Sequence, residues 1–379
     1  MTDSVHIPKI VITGGPCGGK TTGMSYCVEK LQDYGFKPIV IPETPTMFIL
    51  SGLDPTVMAA DEYIRFEEGL LKSQLQIEDN FVYLATHLNH NKPVLIFDRG
   101  VMDIAAYLSQ EQFEAIVDDM GMSITSLRDK RYDGVFHLVT AAIGAEKFYT
   151  CENNPARLET NLEDAREADR KTMEAWVGAP HLQVIDNSDD FEGKMKRTFQ
   201  AICRVLGIPV PVEDERKFLV ADFDEDELPY HQKISIEQVY LLSEDENDEV
   251  RIRKRGQNGA FCYYKTHKAS TGKAGKRYEK ERPITGKEYC EELAHADPDR
   301  VPIKKDRICF LWKNQYFELD IIKSPGKHAG KILLEIELTE DNEDVKLPSF
   351  IKILKEVTDD PSYHNSSLAL KSRESSKSA

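Results

Sequence analysis

The stretch Lys9-Ile10-Val11-Ile12-Thr13-Gly14-Gly15-Pro16-Cys17-Gly18-Gly19-Lys20-Thr21-Thr22 constrains the fold more than any other part of the chain. An apolar run, a glycine-rich turn and a helix-forming segment follow one another there. Gly14, Gly19, Lys20 and Thr21 satisfy the G-x-x-x-x-G-K-[ST] spacing of a phosphate-binding loop. Gly14, Gly15, Gly18 and Gly19 let successive backbone N–H groups close on a polyphosphate with no Cβ in the way. The helix that follows offers unpaired N–H groups and the positive end of its dipole to the same anion. Lys20 is expected to bridge the β- and γ-phosphates and the Thr21 hydroxyl to ligate Mg²⁺, with Thr22 completing the binding stretch. A glycine-rich turn that binds nothing is the alternative, and the order strand, loop, Lys-Thr, helix disfavours it.

A chain of 379 residues exceeds what one core usually supports, so two domains are expected. The formal charge of −16 argues against broad nucleic-acid binding, which demands a net basic surface, while leaving room for local basic clusters. Seven cysteines without a C-x-x-C pair suggest reduced thiols of the cytosol, and neither a signal region nor an apolar run of 18 residues occurs. Membrane contact is therefore expected to be peripheral at most.

Helical spacing over 22–34 and an apolar run at 37–42 predict a strand–helix–strand unit, the start of a parallel α/β sheet. Glu43, at the end of the second run, reads either as a carboxylate facing an acceptor or as a helix cap. Residues 56–90 read as long helices with Phe66, Leu70 and Leu71 near one face. Pro93-Val94-Leu95-Ile96-Phe97-Asp98 places an acid at the end of a buried strand, the Walker-B arrangement in which the carboxylate holds Mg²⁺. Strands often end in Asp at a turn, but the upstream loop favours the functional reading. Further strands are expected at 133–139 and 181–187, with a closing helix at 191–206. The helical segment 157–176 carries Arg157, Arg166 and Arg170, either lid arginines for a transferring phosphoryl group or a solvated face of i,i+4 pairs. Pro209–Val212 reads as the boundary, giving domains 1–208 and 209–370 and a disordered tail 371–379, and the Ser/Lys-rich composition from Ser366 to Ala379 predicts disorder over that whole stretch.

The second half alternates charge at every second position. Glu213, Glu215 and Lys217 share a face, as do Arg251, Arg253 and Arg255, then Arg277, Glu279 and Glu281, then Lys305 and Arg307, Glu318 and Asp320, and Glu335 and Glu337. A half-exposed sheet also alternates, but here the charges sort by strand into acidic and basic sets, and like charges at i,i+2 need compensation. A closed antiparallel barrel lined by these faces would hold divalent metal on carboxylates and polyphosphate on arginines and lysines. Pro348–Glu356 reads as a helix, and Lys265 is a further cation whose strand parity is open.

On these motifs, residues 1–208 resemble P-loop NTPases of the AAA_28 kind, related to nucleotide and nucleoside kinases. From about 212 to 370 the chain resembles the CYTH, or triphosphate tunnel metalloenzyme, superfamily, whose E-x-E-x-K stands here as Glu213, Glu215 and Lys217. The order of the two is similar to that of the TRPL translocation defect protein family. That resemblance implies GTP binding, phosphoinositide binding and a role in membrane-protein trafficking. It also implies that Glu213 and Glu215 bind a metal that activates or orients the triphosphate, while Lys217, Arg251, Arg253, Lys305 and Arg307 grip phosphates. Glu279, Glu281, Glu335 and Glu337 would complete the acidic side, with a second metal at the last pair. An N-K-x-D guanine motif is not formed, since Asn91-Lys92-Pro93-Val94 departs at its fourth position, so GTP and ATP both stay open.

The expected fold class is thus α/β + β, a parallel-sheet P-loop domain followed by an antiparallel tunnel, with Mg²⁺ or Mn²⁺ as metal. Three functions fit: a nucleotide-switched trafficking protein whose tunnel captures a phosphoinositide or polyphosphate; a metal-dependent triphosphatase in the tunnel using Glu213 and Glu215; and a small-molecule kinase using Lys20 and Asp98. The sequence leaves any protein partner unspecified.

Overall fold

The computed structural model describes residues 6–88, 92–149, 161–208, 215–243, 248–270, 277–338 and 344–371, with the side chains of 269–270 and 277–280 outside the description. The chain divides into two compact units, Met1–Ile208 and Pro209–Ala379.

In the first unit the apolar runs form a five-stranded parallel sheet in the order β2-β3-β1-β4-β5. The strands are β1 (Lys9–Thr13), β2 (Lys37–Ile41), β3 (Pro93–Asp98), β4 (Gly134–Leu138) and β5 (Leu182–Ile185). Ile10, Val11 and Ile12 are all fully buried, as expected of a central strand covered on both faces. Helices α1 (Lys20–Asp33), α2 (Thr44–Leu50), α3 (Ala60–Thr86), α4 (Gln110–Asp119), α5 (Ile124–Arg128), α6 (Leu162–Ala175) and α7 (Phe191–Val205) surround it. Because β1 pairs with β3 so that Ile12 faces Asp98, the carboxylate stands level with the loop that leaves β1. Ile41 of β2 faces Phe97 of β3, so Glu43 and Arg99, each two residues further on, emerge side by side. Active groups gathered at the carboxyl ends of parallel strands are what this topology provides.

The second unit is a nine-stranded antiparallel sheet in the order β10-β9-β8-β7-β11-β12-β13-β6-β14. Its strands are β6 (Glu215–Phe223), β7 (His231–Leu241), β8 (Glu249–Gln257), β9 (Ala260–Ser270), β10 (Arg277–Ile284), β11 (Ile303–Trp312), β12 (Gln315–Ser324), β13 (Ile332–Glu337) and β14 (Ile351–Glu356), with helix α8 (Gly286–Glu292) after β10. The α/β + β class holds. The nine-stranded antiparallel sheet is consistent with the expected tunnel, and among the described residues β10 and β14 stand at its two ends without a closing pair. Two local expectations are overturned. Residues 351–356 form strand β14, not a helix, because Ile351 and Ile353 pack onto the cluster of Phe218, Phe310 and Phe350 while the backbone pairs with the β6 edge. Residues 366–370 are ordered into the fold: Leu368 and Ala369 are fully buried beside Ile303 and Leu333, a gain of apolar burial that outweighs the polar composition around them. Residues 372–379 of the expected tail lie outside the described residues.

Candidate functional site

The phosphate loop threads against the backbone of β4. Gly14 has φ +135°, and a Cβ there would lie 2.1 Å from the Leu138 carbonyl oxygen, so only glycine fits. Beneath the loop sits Asp169 of α6, fully buried, whose Oδ1 accepts from Gly15 N at 2.8 Å and Thr140 N at 3.0 Å and lies 3.1 Å from His137 Nε2. Burial works against this charge, and His137 with the two N–H groups holds its pKa below the usual carboxylate range. Asp169 was not legible as a site residue, since nothing local in α6 marks it.

Lys20 donates to the carbonyl oxygens of Gly14 at 2.9 Å and Gly15 at 2.8 Å, folded back over the loop. Burial, reinforced by Arg99, lowers its pKa to about 8. Gly18, Gly19, Thr21 and Thr22 line, together with Lys20 and Asp98, a cavity of about 390 Å³. Burial, helped by neighbouring Glu43, raises the Asp98 pKa, and its buried Oδ1 has no hydrogen-bond partner among the described residues. An orphaned carboxylate oxygen in a cavity that Thr21 also lines fits a hard divalent cation, which would neutralise phosphate charge there.

Arg99 follows Asp98 and donates from Nε to Glu43 at 2.7 Å, with Asp103 3.5 Å from its Nη1. Asp103 also accepts from Gly100 N, Trp176 Nε1 and the Thr13 hydroxyl, fixing Arg99 to the end of β1 and to the residue that caps α6. Burial would raise the Glu43 pKa, but Arg99 and Lys20 outweigh it and keep the carboxyl ionised. Arg99 was not legible as a site residue, because the β2–β3 register that sets it beside Glu43 joins segments more than fifty residues apart. Of the expected lid arginines, Arg157 lies outside the described residues. Arg166 donates to the Ala142 carbonyl at 2.8 Å and Arg170 is clamped between Glu167 and Glu174, so neither is among the described residues that line the cavity.

In the second unit the register places the alternating charges on one sheet face, since paired antiparallel residues share a face. Glu215 and Lys217 oppose Glu337 and Glu335; Glu335 opposes Glu318; Asp320 opposes Arg307. Arg307 and Lys305 oppose Ile234 and Ile236 of β7, which link them to Arg251, Arg253 and Arg255 of β8; Arg251 opposes Thr266, and Thr266 opposes Glu281. Lys265 falls on the other face and pairs with Glu292. The face is densely ion-paired. Lys217 Nζ lies 2.9 Å from Glu335 and 3.2 Å from Glu215, while Arg307 donates to Asp320 at 2.7 Å and to Glu335 at 3.0 Å and also pairs with Glu318. Lys305 pairs with the same Asp320, and Arg253 lies 3.4 Å from Glu281. Burial, with Arg307 beside it, lowers the Lys305 pKa; burial opposes the Glu335 charge, yet Lys217, Lys305 and Arg307 hold that carboxyl well below its usual range. Asp320 is the pivot that charge patterning placed on the face without singling it out.

Glu213 lies outside the described residues, as does the side chain of Glu279, and Glu337 is exposed. Among the described residues no three His, Cys, Asp or Glu groups stand together as a metal set. The described carboxylates Glu215 and Glu335 are committed to Lys217, so the tunnel-face metal expected at Glu213, Glu215, Glu335 and Glu337 does not fit the described residues alone. Among the described residues no helix is long and apolar enough to cross a membrane.

A family model described as an AAA domain, AAA_28, matches residues 9–194. An inorganic triphosphatase of Acetivibrio thermocellus is 31% identical over 157 residues, covering 41% of this chain and 92% of that protein. The crystal structure of an inorganic triphosphatase is similar with 27% identity and a TM-score of 0.32, covering 42% of this chain and 96% of the other. A Pyrococcus horikoshii protein structure matches at 20% identity and a TM-score of 0.27, over 35% of this chain and 80% of the other. The family model and the Acetivibrio relative support a P-loop part joined to a triphosphatase-like part, and lend no support to the translocation-defect family.

Proposed function

Because the chain belongs to the family of the Acetivibrio inorganic triphosphatase, we propose that its second unit binds and hydrolyses inorganic triphosphate on the charged sheet face, while its first unit binds a nucleoside triphosphate at the phosphate loop. The observation that carries this reading is the gathering of Lys217, Arg251, Arg253, Lys305 and Arg307 on one face with carboxylates interleaved. Guanidinium groups meet phosphate oxygens in bidentate pairs, and Asp320 with Glu335 fixes Arg307 and Lys217 before any anion arrives. The cations would hold the chain of phosphates and take up the charge that builds on the leaving pyrophosphate as water attacks the terminal phosphorus. Glu213, together with Glu215 once it is released from Lys217, would hold a divalent ion that supplies further charge neutralisation.

The test is phosphate release from tripolyphosphate, ATP and GTP with Mg²⁺ or Mn²⁺, comparing wild type with Lys20→Ala, Glu213→Gln and Glu215→Gln. Both glutamate variants are expected to lose tripolyphosphate turnover by about 100-fold or more, with Lys20→Ala sparing it. Turnover that depends only on Lys20, or no turnover at all, overturns the hydrolase reading. A phosphorylated lipid headgroup offered on liposomes is then the ligand to measure, since it presents the same phosphate oxygens to the same cations.

A further inference from the structure

We propose that Tyr240 is a positioning residue of the charged sheet face: its phenol oxygen aims the Arg251 guanidinium at an incoming phosphate chain, and Arg300 with the segment around Leu368 holds the phenol in place. This rests on the triphosphate-binding reading above and adds a residue which that reading does not use. Tyr240 lies on β7 directly opposite Arg251 of β8, so the two side chains leave the sheet on the same face. Gln238, two residues back along β7, shares that face and stands opposite Arg253. Its Nε2 donates to the Tyr240 hydroxyl at 2.6 Å, and Arg251 is hydrogen-bonded to the same hydroxyl. All three side chains are buried, so this small network is shielded from competing water.

Packing fixes the ring that carries this hydroxyl. Tyr240 belongs to an apolar cluster with Ile303, Ile322, Leu333 and Leu368. The Arg300 guanidinium lies 4.8 Å from the ring centroid and is itself held by Asp297 at 3.0 Å and by the Ser366 carbonyl at 3.0 Å. Burial, with Glu249 nearby, pushes the phenol pKa up, so Tyr240 stays an uncharged hydroxyl. That neutrality matters. A carboxylate such as Asp320 orients Arg307 and also cancels part of its charge, whereas a phenol oxygen orients a guanidinium and leaves the charge whole for phosphate. Glu249 stands 3.8 Å from Arg251 Nη1, beyond a direct hydrogen bond. An arginine already held in one orientation has less rotamer freedom to lose when the anion arrives, and that saving appears as affinity.

The experiment is a double-mutant cycle on the full chain with Tyr240→Phe, Arg251→Met and the pair. Tripolyphosphate affinity is read by equilibrium titration without metal and by KM with Mg²⁺, and folding by thermal melting. Tyr240→Phe keeps the ring, its apolar packing and the Arg300 contact, and removes only the hydroxyl. It is expected to weaken tripolyphosphate about tenfold in the wild-type background. In the Arg251→Met background the same change is expected to shift affinity less than about twofold, because the group it positions is gone. A hydroxyl with a merely structural role would lower the melting temperature equally in both backgrounds and leave affinity alone. Tyr240→Phe that binds like wild type, or that weakens binding as much without Arg251 as with it, overturns this inference alone. If wild type does not bind tripolyphosphate, or Arg251→Met binds it as wild type does, the inference falls together with the phosphate-gripping role of Arg251 in the function proposed above.

Discussion

Asp320 is the side chain whose removal would most directly expose the physics of the charged face. It is 1% exposed, accepts twice from Arg307 at 2.7 Å and pairs with Lys305, itself 3% exposed. In Asp320→Ala, Arg307 keeps Glu318 and Glu335, but Lys305 loses the partner that supports its charge, and burial already lowers its pKa. Breaking a buried pair from one side costs about 3–5 kcal/mol. At about 2–4 °C per kcal/mol for a unit of this size, the melting transition should fall by roughly 6–20 °C. Trp312, packed against the core of the second unit, reports that transition by fluorescence alongside calorimetry. A bound polyanion can replace the missing carboxylate, so tripolyphosphate should stabilise Asp320→Ala more than wild type; saturation at 100 times Kd contributes about 2.7 kcal/mol. A variant within about 1 kcal/mol of wild type, or one that tripolyphosphate stabilises no more than wild type, would refute the claim that Asp320 balances a phosphate-binding cation cluster.

Three further outcomes are expected. Lys20 must be protonated to hold phosphate, and burial lowers its pKa to about 8 in the free protein, so nucleotide affinity measured by titration should be flat below that pH and about tenfold weaker one unit above it. Burial raises Glu67 from 4.5 to about 7 in the folded state, so its contribution to stability is full below pH 4.5 and lost as pH rises through 7; Glu67→Gln should remove about 3 kcal/mol of that pH dependence in urea titrations. Asp169→Ala leaves the buried N–H groups of Gly15 and Thr140 without their acceptor, which should cost about 2–4 kcal/mol by chemical denaturation and weaken nucleotide binding, whereas a folded variant of wild-type affinity would show that the loop needs no anchor from α6.

Much of the architecture was readable because its signals are local. The loop 14–21 follows from glycine conformation and the charge of an anion, and Asp98 follows from its place after four apolar residues. The sorted charges of the second half follow from the two-residue period of a strand, which sends Arg251, Arg253 and Arg255 to one side whatever their partners are. Residues 351–356 misled because an apolar and lysine-rich run fits helix or strand equally; the unpaired edge of β6 decides the matter, and that edge is over a hundred residues away in sequence.

The sequence by itself therefore determined which chemistry each unit can hold: an anion cradle with a hydroxyl and a carboxylate, and a face of alternating cations and acids. Tertiary structure alone decided the partners. Register set Glu43 against Arg99, placed Asp169 under Gly15, chose Asp320 as the shared anion of Lys305 and Arg307, and sent Lys265 to the opposite face. Residue types and spacing fix which way a side chain points along its own strand, but the groups it meets are brought in by distant segments. Burial then sets whether those meetings hold a charge or suppress it.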